Sequence, residues 1–245
     1  MQDDRDHKRE IIEEFQPPEK TPDGFIVDQE SEGGRDFRIT PNILAKAIWN
    51  TNYLVLYEVK DKKFSLHDLP INVPFASQTF ALSDNLFYLV GGFDPYFNHT
   101  NNKVWQYLSD SRKLTEKSPM IVTKALYSSV CTGKHILTIG GKKLAEQNSS
   151  RSEFLSSCEI YSSEKDQWRM LPNLLLPRAN ASTCLFGSRW VYAMGGETDA
   201  NAIAAQSIER LDFMQIGNKS TSGWQQVDVI SIEGMCDFIS RASAH

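Results

Sequence analysis

Leu86-Phe87-Tyr88-Leu89-Val90-Gly91-Gly92 is a run of five large apolar residues closed by two glycines. The turn formers Ser83-Asp84-Asn85 precede it, and Gln78 to Leu82 lies before them. Short apolar runs bounded by turn residues read as buried strands joined by a hairpin. The same grammar returns twice downstream. Ser128 to Cys131, the turn Gly133-Lys134 and Ile136-Leu137-Thr138-Ile139 lead into Gly140-Gly141. Ser182 to Phe186, the turn Gly187-Ser188-Arg189 and Trp190-Val191-Tyr192-Ala193-Met194 lead into Gly195-Gly196. The pairs stand 49 and 55 residues apart. A lone glycine pair marks only a turn or a close backbone approach. Three pairs at a near-constant period mark a repeat.

The second half of each unit repeats as well. Tyr57, Tyr107 and Tyr161 each stand seven residues before Phe64, Leu114 and Trp168. Pro70, Pro119 and Pro172 follow. The last unit is looser: Leu211 takes the tyrosine's place and Trp224 lies 13 residues on. A basic residue closes the exit segment in two units, as Lys124 and Arg178.

These residues resemble the kelch-repeat family. The resemblance rests on Gly91-Gly92, Gly140-Gly141 and Gly195-Gly196, on Tyr107 and Tyr161, on Trp168 and Trp224, and on the Leu171-Pro172 exit with Arg178. It covers roughly residues 43–228. It implies an all-β, kelch-type β-propeller or propeller fragment, with a four-stranded antiparallel sheet per repeat. A twisted blade has two apolar faces and buries both only between neighbours. The glycines, tyrosines and tryptophans are thus expected to be structural. The repeats fall at about 43–70 (partial), 75–120, 126–172 and 181–228, which makes about four blades. The family most resembles six or so, so a fragment of a longer product is expected. An open arc completed by another copy and an irregular small propeller are the alternatives.

Residues 1–40 hold 12 acids and six bases, whereas the rest of the chain holds 19 acids and 20 bases. Residues 1–40 read as a flexible acidic leader, since Pro17-Pro18 stops a short helix and the remainder is charged and turn-rich. Residues 41–245 form the repeat region. The whole chain carries −5, which argues against a protein built to grip a nucleic acid backbone. No run approaches the roughly 18 apolar residues of a membrane span. The charged N-terminus shows no secretory signal, so a cytoplasmic setting with reduced thiols is expected.

Catalytic chemistry has little support. His7, His67, His99, His135 and His245 show no ligand spacing. Cys131, Cys158, Cys184 and Cys236 form no CxxC pair, and Cys131 and Cys184 are expected as small core residues of matching strands. Phosphate-loop, dinucleotide and nucleophile-elbow motifs are absent from the sequence. No cofactor and no metal is expected.

In a propeller the loops carry function and the blades carry stability. Phe93, Tyr96 and Phe97 in the first post-glycine loop are candidate anchors for a protein partner. Lys124 and Arg178 are candidates for contact with acidic peptides, as the resemblance implies. The resulting reading is a non-catalytic protein-interaction module or scaffold, such as a ubiquitin-ligase substrate adaptor or a cytoskeletal protein. Its partners are other proteins, with self-association if the propeller is incomplete. The alternative is an enzyme on the same scaffold, a metal-dependent oxidase or a sugar-processing enzyme. The oxidase requires His67, His99 and His135 to converge.

Overall fold

The computed structural model describes residues 42–94, 96, 99–144, 152–199, 207–216 and 223–227. The expected leader at 1–40 lies outside them, as does Phe97. The first sheet has three strands, β1 (Ile43–Ala47), β2 (Tyr53–Glu58) and β3 (Lys63–Asp68), in that order. The second follows with β4 (Gln78–Ser83) and β5 (Leu86–Val90). A small ribbon of β6 (Phe93–Asp94) and β7 (His99–Thr100) interrupts it before β8 (Val104–Leu108) and β9 (Lys113–Lys117). The third has β10 (Ser128–Thr132) and β11 (His135–Ile139), then the ribbon β12 (Lys142–Lys143) with β13 (Glu153–Phe154), then β14 (Cys158–Ser162) and β15 (Gln167–Leu171). The fourth has β16 (Ser182–Phe186), β17 (Trp190–Met194), β18 (Ile208–Asp212) and β19 (Gln225–Val227).

Each sheet is an antiparallel meander, and we number the four as blades 1 to 4. Three of them have the expected four strands. The register identifies what blade 1 has. Tyr57 pairs with Phe64 as Tyr107 pairs with Leu114 and Tyr161 with Trp168. So β2 and β3 match the two outer strands of the later blades, and β1 matches the strand that elsewhere ends in glycines. The first strands of later blades meet one another, β4 with β10 and β10 with β16. They therefore stand nearest the common axis, and β1 meets β4 there too.

The inner strands β5, β11 and β14 are buried at successive residues, as a sheet covered on both faces requires, whereas burial alternates along β2 and β17 of the end blades. Three apolar clusters result, one per junction. Leu54 and Leu56 of blade 1 pack with Phe87, Leu89, Trp105 and Tyr107 of blade 2. Phe80, Tyr88 and Val90 of blade 2 pack with Ile136, Tyr161 and Trp168 of blade 3. Leu137, Ile139 and Ile160 of blade 3 pack with Val191, Leu211 and Trp224 of blade 4. Ring contacts and indole hydrogen bonds fix the blades in register. Trp168 Nε1 donates to Ser118 O at 2.9 Å, and Trp224 Nε1 donates to Pro172 O at 3.0 Å.

The glycine pairs serve the same junctions. The second glycine of each pair has a left-handed φ, +98° at Gly92, +115° at Gly141 and +94° at Gly196. A Cβ there would stand 2.7, 2.9 and 2.6 Å from the carbonyl oxygens of Phe75, Ala125 and Ala179. Those three residues belong to the segments that enter each blade. Each makes an antiparallel bridge to the residue after the glycines: Phe75 to Phe93, Ala125 to Lys142 and Ala179 to Glu197. Glycine is required because no side chain fits between these two backbones.

Two expectations about cysteine need correcting. Cys131 and Cys184 are exposed, and it is Cys158 that is buried. Cys184 lies on a face of blade 4 that no described blade covers. Burial pushes the Cys158 thiol up to about 11, so it is an inert core group.

Candidate functional site

Lys124 and Arg178 are the best-defined charged groups in the fold, and both are fully buried. Their placement corrects the expectation that they meet a partner. Lys124 Nζ lies 3.1 Å from Glu159 Oε1 and donates to Ser157 O at 3.2 Å. Arg178 donates from Nη1 to Gly195 O and from Nη2 to Ser207 Oγ and Glu209 Oε1. Each base sits on the exit loop of one blade, and each acid sits on the third strand of the next. Burial pushes the Lys124 ammonium below its ordinary pKa, while the Glu159 carboxylate opposes that shift.

The acids do a second job. Glu159 accepts the backbone N–H groups of Ile121 and Val122 at 2.7 and 3.3 Å. Glu209 accepts those of Leu175 and Leu176 at 2.6 and 3.2 Å. A carboxylate holding two successive N–H groups shapes an exit loop as a cap shapes a helix end. The loops so shaped put Met120 and Leu174 into the core and leave Ile121 and Leu175 exposed. Sequence reasoning missed both acids and both apolar tips. The available signal was the recurrence of Glu at one strand position only in the two repeats that follow a basic exit residue.

The junction of blades 1 and 2 is built differently. Val73 stands on the exit loop where Lys124 and Arg178 stand later, and Trp105 stands where the acids stand. Both belong to the apolar cluster there. An apolar pair thus replaces the ion pair at a position of the same geometry.

The aromatic anchors divide. Phe93 is half-buried and packs edge-on against Phe75 with ring centroids 5.1 Å apart, and Phe75 packs on Trp49 at 4.8 Å. Tyr96 is 77% exposed. The two ribbons touch where Leu144 N donates to Thr100 Oγ1. Beside that contact lies a cleft of about 180 Å³ lined by His99, Asn102, Thr123 and Lys143 among others. Phe75, Phe93, Tyr96, Ile121 and Leu175 lie on exit or post-glycine segments, and Trp49 follows β1 where later blades have their glycines. The bridges described above join those two segment classes.

The histidines named for the enzyme alternative sit in separate elements. His67 is buried in β3, with Nδ1 2.7 Å from the Tyr107 hydroxyl and Nε2 3.2 Å from Ser65 Oγ. His99 is in the ribbon strand β7 and His135 is in β11. Among the described residues, no group of three His, Cys, Asp or Glu side chains is arranged to hold a metal ion.

Residues 124–175 match the family model described as Kelch motif. The chain carries a kelch motif over this stretch. The matched stretch runs from Lys124 to Leu175, one whole blade with the exit loops on either side. Similar proteins carry the repeat in their names. Kelch repeat and BTB domain-containing protein 2 of Cowpox virus (strain GRI-90 / Grishak) is 26% identical over 207 residues, which is 80% of this chain and 34% of that protein. The protein of the same name from Horsepox virus is 26% identical over 207 residues, covering 80% of this chain and 35% of its own length. Kelch repeat and BTB domain-containing protein 12 of Homo sapiens is 24% identical over 157 residues, or 58% of this chain and 25% of that protein. The chain spans about a third or less of the length of these curated relatives. The repeated blades account for the all-β architecture and for the glycine period.

Proposed function

We propose that this kelch array is a non-catalytic protein-recognition module, and that it binds through the face formed by its exit and post-glycine loops. The observation that carries the reading is the pair of loops held by Glu159 and Glu209. Two buried carboxylates are an expensive way to shape a surface turn. The result is two exposed apolar tips, Ile121 and Leu175, on loops with fixed backbones. Rigid apolar projections lose little entropy on binding and suit a protein partner. Tyr96 adds an amphipathic anchor to the same set of loops, and Phe93 packs against Phe75 among them. Lys124 and Arg178 contribute by positioning these loops rather than by touching the partner.

The relatives' names join kelch repeats to a BTB domain, which supports a scaffold that recognises a partner with its repeats. A ubiquitin-ligase adaptor or a cytoskeletal protein is the finer form of the reading. Affinity capture with the full chain tests it. Tyr96→Ala and the double variant Ile121→Ser/Leu175→Ser are expected to lose most of the defined partners while keeping the wild-type melting temperature. Capture unchanged by both variants would sink the assignment of this face.

A further inference from the structure

We propose that the cleft between the ribbons of blades 2 and 3 receives a phosphorylated side chain of a protein partner. The inference rests on the loop face being the partner-binding face, and it adds the chemistry that the partner carries there. The cleft measures about 180 Å³, and no acid is among the described residues that line it. Lys103 comes to it from blade 2 and Lys143 from blade 3, and both are exposed. Among the described residues neither lysine forms an ion pair. Asp94 and Glu153 stand opposite His99 and Lys143 in the two ribbons, yet neither is part of the cleft wall. Asp94 Oδ1 instead accepts the Tyr96 N–H at 2.8 Å.

The hydrogen bonds that build the wall use acceptors and leave donors. Thr100 Oγ1 accepts the Leu144 N–H at 3.1 Å, so the hydroxyl keeps its hydrogen for another group. Asn101 Oδ1 accepts the Lys103 N–H at 3.1 Å, which leaves both hydrogens of its amide nitrogen. The wall is also held in place. Asn102 gives one side-chain N–H to Met120 O at 2.8 Å, and its own C=O accepts the Met120 N–H. Thr123 follows on the same exit loop, two residues after the tip Ile121, whose N–H Glu159 accepts. The bridge of Ala125 with Lys142 fixes the ribbon of blade 3. Donors ordered in advance lose little entropy when a ligand arrives. A surplus of donors with two cations selects an oxyanion. A carboxylate offers two oxygens and one charge. A phosphate monoester offers three terminal oxygens and a charge of about −1.5 to −2, which matches two ammonium groups. Because Thr123 and Ile121 share a loop, a partner seated on that tip can place its phosphate in the cleft.

Nuclear magnetic resonance on the full 245-residue chain tests the cleft, with O-phosphoserine as the probe. O-phosphoserine is expected to shift the amide signals of Thr100, Asn101 and Thr123. Serine is expected to shift none, and aspartate to bind about tenfold more weakly. The double variant Lys103→Gln/Lys143→Gln is expected to weaken O-phosphoserine by about tenfold or more at an unchanged melting temperature. Lys113→Gln, on an outer strand, is expected to leave it unaltered. Aspartate binding as tightly as O-phosphoserine, or affinity kept in the double variant, overturns the phosphate site. Affinity capture with the full chain tests the source of the phosphate. Partners lost both after phosphatase treatment of the lysate and with the lysine double variant support the inference. Partners that Ile121→Ser/Leu175→Ser loses, but that phosphatase and the lysine variant leave in place, overturn it while the loop-face reading stands. O-phosphoserine bound at the lysines with no partner sensitive to phosphatase also overturns it, since the phosphate then comes from a free solute.

Discussion

Arg178 donates from Nη2 to Glu209 Oε1 at 2.6 Å, and neither side chain reaches solvent. The pair links the exit loop of one blade to the third strand of the next. Removing only the acid strands a buried guanidinium and two backbone N–H groups. Glu209→Ala is expected to cost about 3–5 kcal/mol, as other broken buried pairs do. Replacing both partners by Arg178→Val and Glu209→Trp copies the native Val73 and Trp105 junction. That double variant is expected to cost less than Glu209→Ala alone. Urea denaturation of the three proteins checks the ordering.

Gly196 and Gly223 make a matched comparison. A Cβ on Gly196 would stand 2.6 Å from Ala179 O at a φ of +94°, whereas one on Gly223 meets nothing within 4 Å. Gly196→Ala is expected to destabilise by at least ~2 kcal/mol, from strain and clash together. Gly223→Ala is expected to be neutral. Thermal melts of both variants, followed by circular dichroism, decide it.

Burial, and then the charge of Arg112, hold the His67 imidazole below its ordinary value of 6.5. A depressed value in the folded state means that the unfolded chain takes up the proton first on acidification. The stability tied to His67 is therefore fully present above 6.5 and is lost as pH falls below it, through the folded-state value. His67→Gln is expected to flatten the stability curve over that window. Equilibrium unfolding at a series of pH values, wild type beside variant, would show no difference in slope if this is wrong.

Trp168 and Trp224 make equivalent bonds at successive junctions, from indole Nε1 to Ser118 O and to Pro172 O. Each change to Phe keeps a ring in place and removes one donor. The expected cost is about 1–2 kcal/mol apiece. The two costs should add, because the sites share no partner. A double variant measured against the two singles tests that independence.

Much of the blade architecture was legible in the sequence, and the reason is local. Gly91-Gly92, Gly140-Gly141 and Gly195-Gly196 end strands that pair with their nearest neighbours in the chain. Period and hydropathy therefore reveal them. The pairing of Lys124 with Glu159 and of Arg178 with Glu209 was not legible by such means. Each joins residues in different repeats, and an isolated Glu in a strand looks like any solvated charge. Lys124 and Arg178 were visible as recurrent bases, but surface and core bases share one letter. Only the three junctions compared side by side reveal that base and acid come and go together. The exposure of Cys131 and Cys184 had the same cause. Their strands match in sequence, but how much covers each one depends on position around the axis.

The placement of each base ahead of its acid gives the array a direction in time. A ribosome delivers Lys124 before Glu159 and Arg178 before Glu209. Blades 2 and 3 thus each emerge with a cation meant for the interior until the third strand of the successor has been made. Until then each exit loop lacks the acceptor for its own N–H groups. Blades in such a chain mature one step behind synthesis, and a stalled product ends on an unsatisfied charge. The blade 1 exit, with Val73, waits for no such acid and can settle as soon as blade 2 packs on it.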